Sequence, residues 1–155
     1  MDQTDQMQNL SPENNPAEGL KIKFANERKE WLVKVKDMAT RMYRIELLAE
    51  VQVDLLSNRQ VIIEYNHELL ANMSSMNKIY KNKRRDRFIE YNEKYDIRLQ
   101  KAEKDIMIDG DLSAMRERMD LLEDQIKFYD KTMQTIDHAL YAMKNRIALE
   151  EFRRK

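Results

Sequence analysis

One run of apolar residues limits what this chain can fold into more than any other feature. Leu112, Met115, Met119, Leu122, Ile126, Tyr129, Met133, Ile136, Leu140, Met143 and Ile147 are separated by alternating steps of three and four residues. Five heptads without a slip make the seam of a helix that packs lengthwise on another helix. At ~1.5 Å per residue that helix is roughly 60 Å long, more than a compact domain of 155 residues needs. The seam therefore packs on the chain's own earlier helix or on another subunit, and its Met, Tyr and Ile do not set an oligomer number. We take residues 109–155 as an oligomerisation helix, with Met115, Met119, Leu122, Ile126, Tyr129, Met133, Ile136, Leu140, Met143 and Ile147 as its contacts.

The rest of the chain agrees with an all-α fold of elongated helices. There are only two Gly and two Pro, and charged residues make up 36%. Between Leu20 and Asp109 neither Gly nor Pro occurs, so nothing obvious breaks a helix there. Trp31, Val35, Met38, Met42 and Ile45 step at helical intervals. "LSNR" at 56–59 and "NMSSMN" at 72–77 are the weak points of this region, poor in helix propensity. "IDGDLS" at 108–113 predicts a break, with Asp111 or Ser113 as the N-cap of the last helix. Residues 1–19 hold four acids, no base and both prolines, and predict a disordered acidic tail. Residues 20–108 then form the central helical region.

Several chemistries have no candidate residues. There is no Cys, hence no disulfide frame and no thiolate. His67 and His138 stand outside any metal-ligand spacing, and no Gly-rich phosphate loop occurs. Asp109 and Asp111 straddle a glycine without the further ligands of a calcium loop. We expect no enzyme activity, no cofactor and no metal. No apolar run reaches membrane-spanning length, and the polar N-terminus is unlike a signal peptide; a cytoplasmic location with no membrane partner is expected.

The formal net charge is zero, yet charge is segregated. Residues 78–87 place six Lys and Arg against one acid, Asp86. Residues 102–124 hold eight acids and three bases. Tyr80, Phe88, Tyr91 and Tyr95 are threaded through and just beyond the basic stretch. Cations that neutralise phosphates beside rings that stack on unpaired bases suit single-stranded nucleic acid. Lys81, Lys83, Arg84, Arg85, Arg87, Phe88, Tyr91 and Lys94 are the candidate DNA-binding residues. The competing reading is a solvated helix face on a coiled-coil scaffold or adaptor that binds no nucleic acid.

Three segments, in order, resemble one family. "RDRFIEYNEK" at 85–94 resembles the basic-x-basic motif of the UvsY recombination mediators of T-even-like phages. "KAEKDIMIDGDL" at 101–112 is similar to the acidic and hydrophobic stretch before their last helical region. "MKNR" at 143–146 resembles their Ile-x-x-Arg site, and "WLVKVKDMATRMYRIE" at 31–46 is a weaker likeness. The resemblance implies a ring-forming homo-oligomer that binds single-stranded DNA. It further implies that the protein loads a recombinase onto DNA coated by single-strand-DNA-binding protein, in the infected bacterial host, as part of DNA replication, recombination and repair. Arg85 and Arg87 would then be the DNA-contacting cations.

Overall fold

The computed structural model describes residues 16–93 and 100–154. Every regular element among them is helical: α1 (Pro16–Arg41), a 3-10 turn (Ile45–Leu47), α2 (Leu48–Glu93), α3 (Lys101–Asp111) and α4 (Ser113–Arg153). The all-α expectation holds, with α2 and α4 running 46 and 41 residues. The tail expected over 1–19 gives way to helix at Pro16; residues 1–15 lie outside the described residues. Gly19 sits inside α1 and has no positive φ, so it ends nothing.

The helices contribute to two compact units that do not follow chain order. Among the described residues, the first comprises 16–23, 71–93 and 100–123, the second 24–70 and 124–154. The division expected at Asp109 coincides with neither.

The second unit is a three-helix bundle. Glu27 and Arg28 of α1 meet Gln125 and Tyr129 of α4, and Met42 and Tyr43 meet Arg146. Both numberings rise together, so α1 and α4 are parallel. Arg59 pairs with Asp137 at 2.7 Å and Asn66 with Asp130 at 2.9 Å, so α2 is antiparallel to α4. Trp31 and Met38 from α1, Leu48, Val51, Leu55 and Ile62 from α2, and Tyr129, Ile136 and Met143 from α4 form one buried cluster. Trp31 meets Tyr129 edge to face at 6.5 Å, a favoured aromatic geometry. Gln125 is fully buried yet satisfied: its amide donates to Glu27 at 3.2 Å and its carbonyl accepts from Arg28 at 3.4 Å.

The heptad seam has therefore found the chain's own helices. Tyr129, Ile136 and Met143 lie in the bundle core, with Met133 and Leu140 packed partly against it. Ile126 is half-buried and Ile147 is 38% exposed. The buried positions assigned above to subunit contacts are thus occupied within the protomer, because α1 and α2 supply the complementary stripe.

The first break in the helices falls at 42–44, not at "LSNR" or "NMSSMN", both of which lie inside α2. Arg44 is extended (φ −99°, ψ 117°), and Ile45 leaves the α1 stripe to become exposed. Arg41 locks this corner by donating to Asp37 at 3.0 Å, Glu50 at 2.9 Å and Asp54 at 2.5 Å. Arg146 donates to the carbonyls of Met42 at 2.5 Å and Tyr43 at 2.9 Å, acceptors that the end of α1 leaves open.

The first unit contains an antiparallel helical hairpin. Tyr80, Tyr91 and Asn92 of α2 meet Arg116, Asp111 and Lys104 respectively, so one numbering rises as the other falls. Tyr91, Ile108 and Leu112 form its buried cluster, with Tyr80 against it. The expected break at 108–113 shrinks to one residue. Leu112 N–H donates to Ile108 and Arg116 N–H donates to Leu112, both at 3.0 Å, so helical bonding carries across. Neither Asp111 nor Ser113 is an N-cap: Asp111 ends α3 and Ser113 already lies in α4. The start at Gln100 is better made, since Glu103 accepts from its backbone N–H at 2.8 Å.

Candidate nucleic-acid interface

The basic stretch lies wholly on α2, so a helical period sorts its cations into faces. The face turned to α3 carries Tyr80, Arg84, Arg87 and Tyr91. Arg84 Nη2 donates to Asp105 at 3.1 Å, and Arg84 Nη1 lies 3.6 Å from Asp109. Arg87 meets Glu90 at 2.7 Å and Asp111 at 3.5 Å. The hydrogen bond donated to Asp105 raises the Arg84 pKa, against an opposing effect of burial. Glu90 does the same for Arg87, first by hydrogen bonding and then by charge. Both arginines thus face local counter-charge.

Tyr91 is only 9% exposed, and its hydroxyl donates to Asp111 at 2.9 Å. A ring packed in the hairpin core cannot stack on a base, so the stacking role expected for Tyr91 is withdrawn. Tyr80 is half-buried, with the Arg116 guanidinium 5.9 Å from its ring. Lys94 lies outside the described residues, as does Tyr95.

The flank of α2 is different. Lys78, Lys81 and Arg85 are spaced i, i+3, i+7 and form one stripe. All three are exposed. Among the described residues no carboxylate pairs with Lys78 or Lys81, and Arg85 contacts Asp86, its neighbour in sequence, at 3.1 Å. Phe88 borders the stripe at 39% exposure. Lys104 of α3 reaches over this edge, 5.9 Å from the Phe88 ring, and donates to Asn92. Lys83 is exposed on the opposite flank. Of the candidate residues, Lys81, Arg85 and Phe88 are brought together in the open, whereas Arg84, Arg87 and Tyr91 are drawn into the hairpin.

Sequence reasoning missed Lys104 and the carboxylates that hold the arginines. The signal was present in the four-residue spacing of Asp105 and Asp109, which puts both on one face of α3. It becomes a contact only once the hairpin register is known.

A groove of about 330 Å³ in the bundle is lined by Ala39, Met42, Tyr43, Ala142, Met143 and Arg146, and the guanidinium there is engaged by backbone carbonyls. Among the described residues no cluster of three side chains suits a metal ion, and no helix is long and apolar enough to cross a membrane. Compared with known proteins, the chain matches no family model, no curated protein and no solved structure.

Proposed function

We propose that this protein is a non-enzymatic recombination mediator. It binds single-stranded DNA along the outer flank of α2 and helps to load a recombinase onto strands coated by single-strand-DNA-binding protein. The observation that carries the reading is the exposed stripe Lys78, Lys81 and Arg85 beside the half-exposed ring of Phe88. Three aligned cations follow a phosphate backbone, and an adjacent ring accepts a base face whatever its sequence. The exposed Arg85–Asp86 pair is worth only ~0–1 kcal/mol, so a phosphate displaces it readily. The ordered resemblance of 85–94, 101–112 and 143–146 to the UvsY mediators supports the same reading and adds the recombinase and assembly partners. In an assembly each protomer's stripe gains from its neighbours through effective concentration. Subunit contacts would use surface that the bundle leaves open, such as Ile147 and the exposed Leu149 and Phe152.

The test is fluorescence anisotropy with labelled oligo-dT at several salt concentrations. Lys81→Ala with Arg85→Ala should weaken binding and flatten the slope of log affinity against log salt by roughly 1.4, at about 0.7 per phosphate. Phe88→Ala should cost about 1–3 kcal/mol and leave that slope unchanged. If neither variant alters affinity, the basic flank is a solvated face and the scaffold reading replaces this one.

A further inference from the structure

The same site carries a built-in competitor. We infer that α3 is an autoinhibitory strand mimic: Asp105, Asp109 and Asp111 occupy Arg84 and Arg87 where phosphates would otherwise sit, and a bound strand displaces them. The inference rests on the single-strand-binding reading and specifies how that site is regulated.

Three observations carry it. First, the carboxylates are spaced along α3 so as to meet two arginines one turn apart on α2, as successive anions on a strand do. Asp105 and Asp109 both reach Arg84, at 3.1 and 3.6 Å, and Asp111 reaches Arg87 at 3.5 Å. Second, these pairs are half-exposed, so they are exchangeable, unlike ion pairs sealed in a core. Asp109 Oδ1 is itself buried without a hydrogen-bond partner; the 3.6 Å contact is ionic only, and it leaves that oxygen poorly satisfied. Third, the arginines adjoin the open stripe. Arg84 directly precedes Arg85 in sequence, and Arg87 directly precedes Phe88. A strand on Lys78, Lys81 and Arg85 therefore meets the clasped arginines at its edge. The stripe makes the first contact, and exchange of carboxylates for phosphates extends the footprint.

The experiment compares the unmutated protein with Asp105→Asn/Asp109→Asn in the oligo-dT titration. Glu117→Gln/Asp120→Asn, exposed positions of the same unit, matches the change in net charge. The Asp105/Asp109 variant should bind about two- to tenfold tighter than the charge-matched control, the size that two half-exposed ion pairs supply. Its salt slope should be steeper by roughly 0.7 for each arginine recruited. Adding Arg84→Ala should abolish the gain. Hydrogen exchange on the unmutated protein gives a readout independent of variant folding: oligo-dT should speed amide exchange across residues 101–111. Equal affinity of the variant and its control, a gain that survives Arg84→Ala, or slowed exchange in α3 overturns the inference while leaving the binding site intact. Absence of binding by every form overturns the binding reading and the inference together. Binding by the Asp105/Asp109 variant alone supports both.

Discussion

Ile136→Ala tests whether the heptad seam is closed inside the protomer. Ile136 is 1% exposed. It lines a residual cavity of about 40 Å³ with Val35, Met38, Met42 and Leu55. The substitution removes three carbons, and at ~0.8 kcal/mol per buried methylene the transfer loss is roughly 2.4 kcal/mol. The new void adds to an existing one between helices held by the Trp31–Tyr129 contact and the Arg59–Asp137 pair. Collapse is therefore restricted, and a cavity contribution brings the total to about 3–4 kcal/mol, inside the usual range for such truncations. Ile147→Ala makes the same chemical change at a position 38% exposed and should cost less than about 1.5 kcal/mol. Urea unfolding followed by far-UV circular dichroism measures both. The runs belong at two well-separated protein concentrations, because a seam completed by a second copy makes stability concentration-dependent. A loss below about 1 kcal/mol for Ile136→Ala, or one that disappears at high protein concentration, would refute the intrachain packing argument.

Tyr129 should titrate late. Burial first, and then the nearby Glu27 carboxylate, push its hydroxyl from the ordinary 10.0 up to about 12 against opposing hydrogen bonds. Between those values the unfolded chain has lost a proton that the folded chain keeps. The stabilisation is thus complete below pH 10 and falls as pH rises towards about 12. Ultraviolet titration should show a late tyrosine ionisation, and Tyr129→Phe should remove that step. Tyr91→Phe deletes the hydroxyl donated to Asp111; it should lower unfolding stability by about 1.5–3 kcal/mol, as for a hydrogen bond to a charged group, without weakening oligo-dT binding. A binding loss with unchanged stability would restore Tyr91 to the strand-contacting surface.

The helical character and the apolar stripes were legible because both follow from local periodicity. Trp31, Val35 and Met38 on α1 and the seam from Leu112 along α4 are read from spacing alone. The seam's partner was not legible, since the same heptads serve an intrachain or an intersubunit contact. Breaks were the weakest reading. Gly110 suggested a turn, but an isolated glycine costs a helix only about 1 kcal/mol, and Ile108 and Leu112 on either side of it are buried. The serines at 74 and 75 are exposed, with half-buried Met73 and Met76 holding α2 through them. Conversely, the corner at 42–44 has no Gly or Pro to mark it. It is held by Arg41 and Arg146, whose partners lie up to 104 residues away. At the candidate interface, the richness in cations was legible, but their division into a free flank and a clasped face required the register of α2 on α3.

The bond from Arg146 to the Met42 carbonyl also dates the moment at which the bundle is complete during synthesis. Its ends are 104 residues apart in sequence. A ribosome adding about 5–20 residues per second needs roughly 5–20 s to travel that distance. For most of that interval, until Tyr129 and Ile136 are made, Trp31 and Met38 of α1 have no α4 to cover them. Clamped to Glu50 and Asp54 through Arg41, the nascent α1–α2 pair presents an open apolar stripe of the kind that chaperones hold. Chains arrested before residue 146 lack the Arg146 clamp, so a short C-terminal truncation should be felt first far away in sequence, at the corner around Met42 and Tyr43.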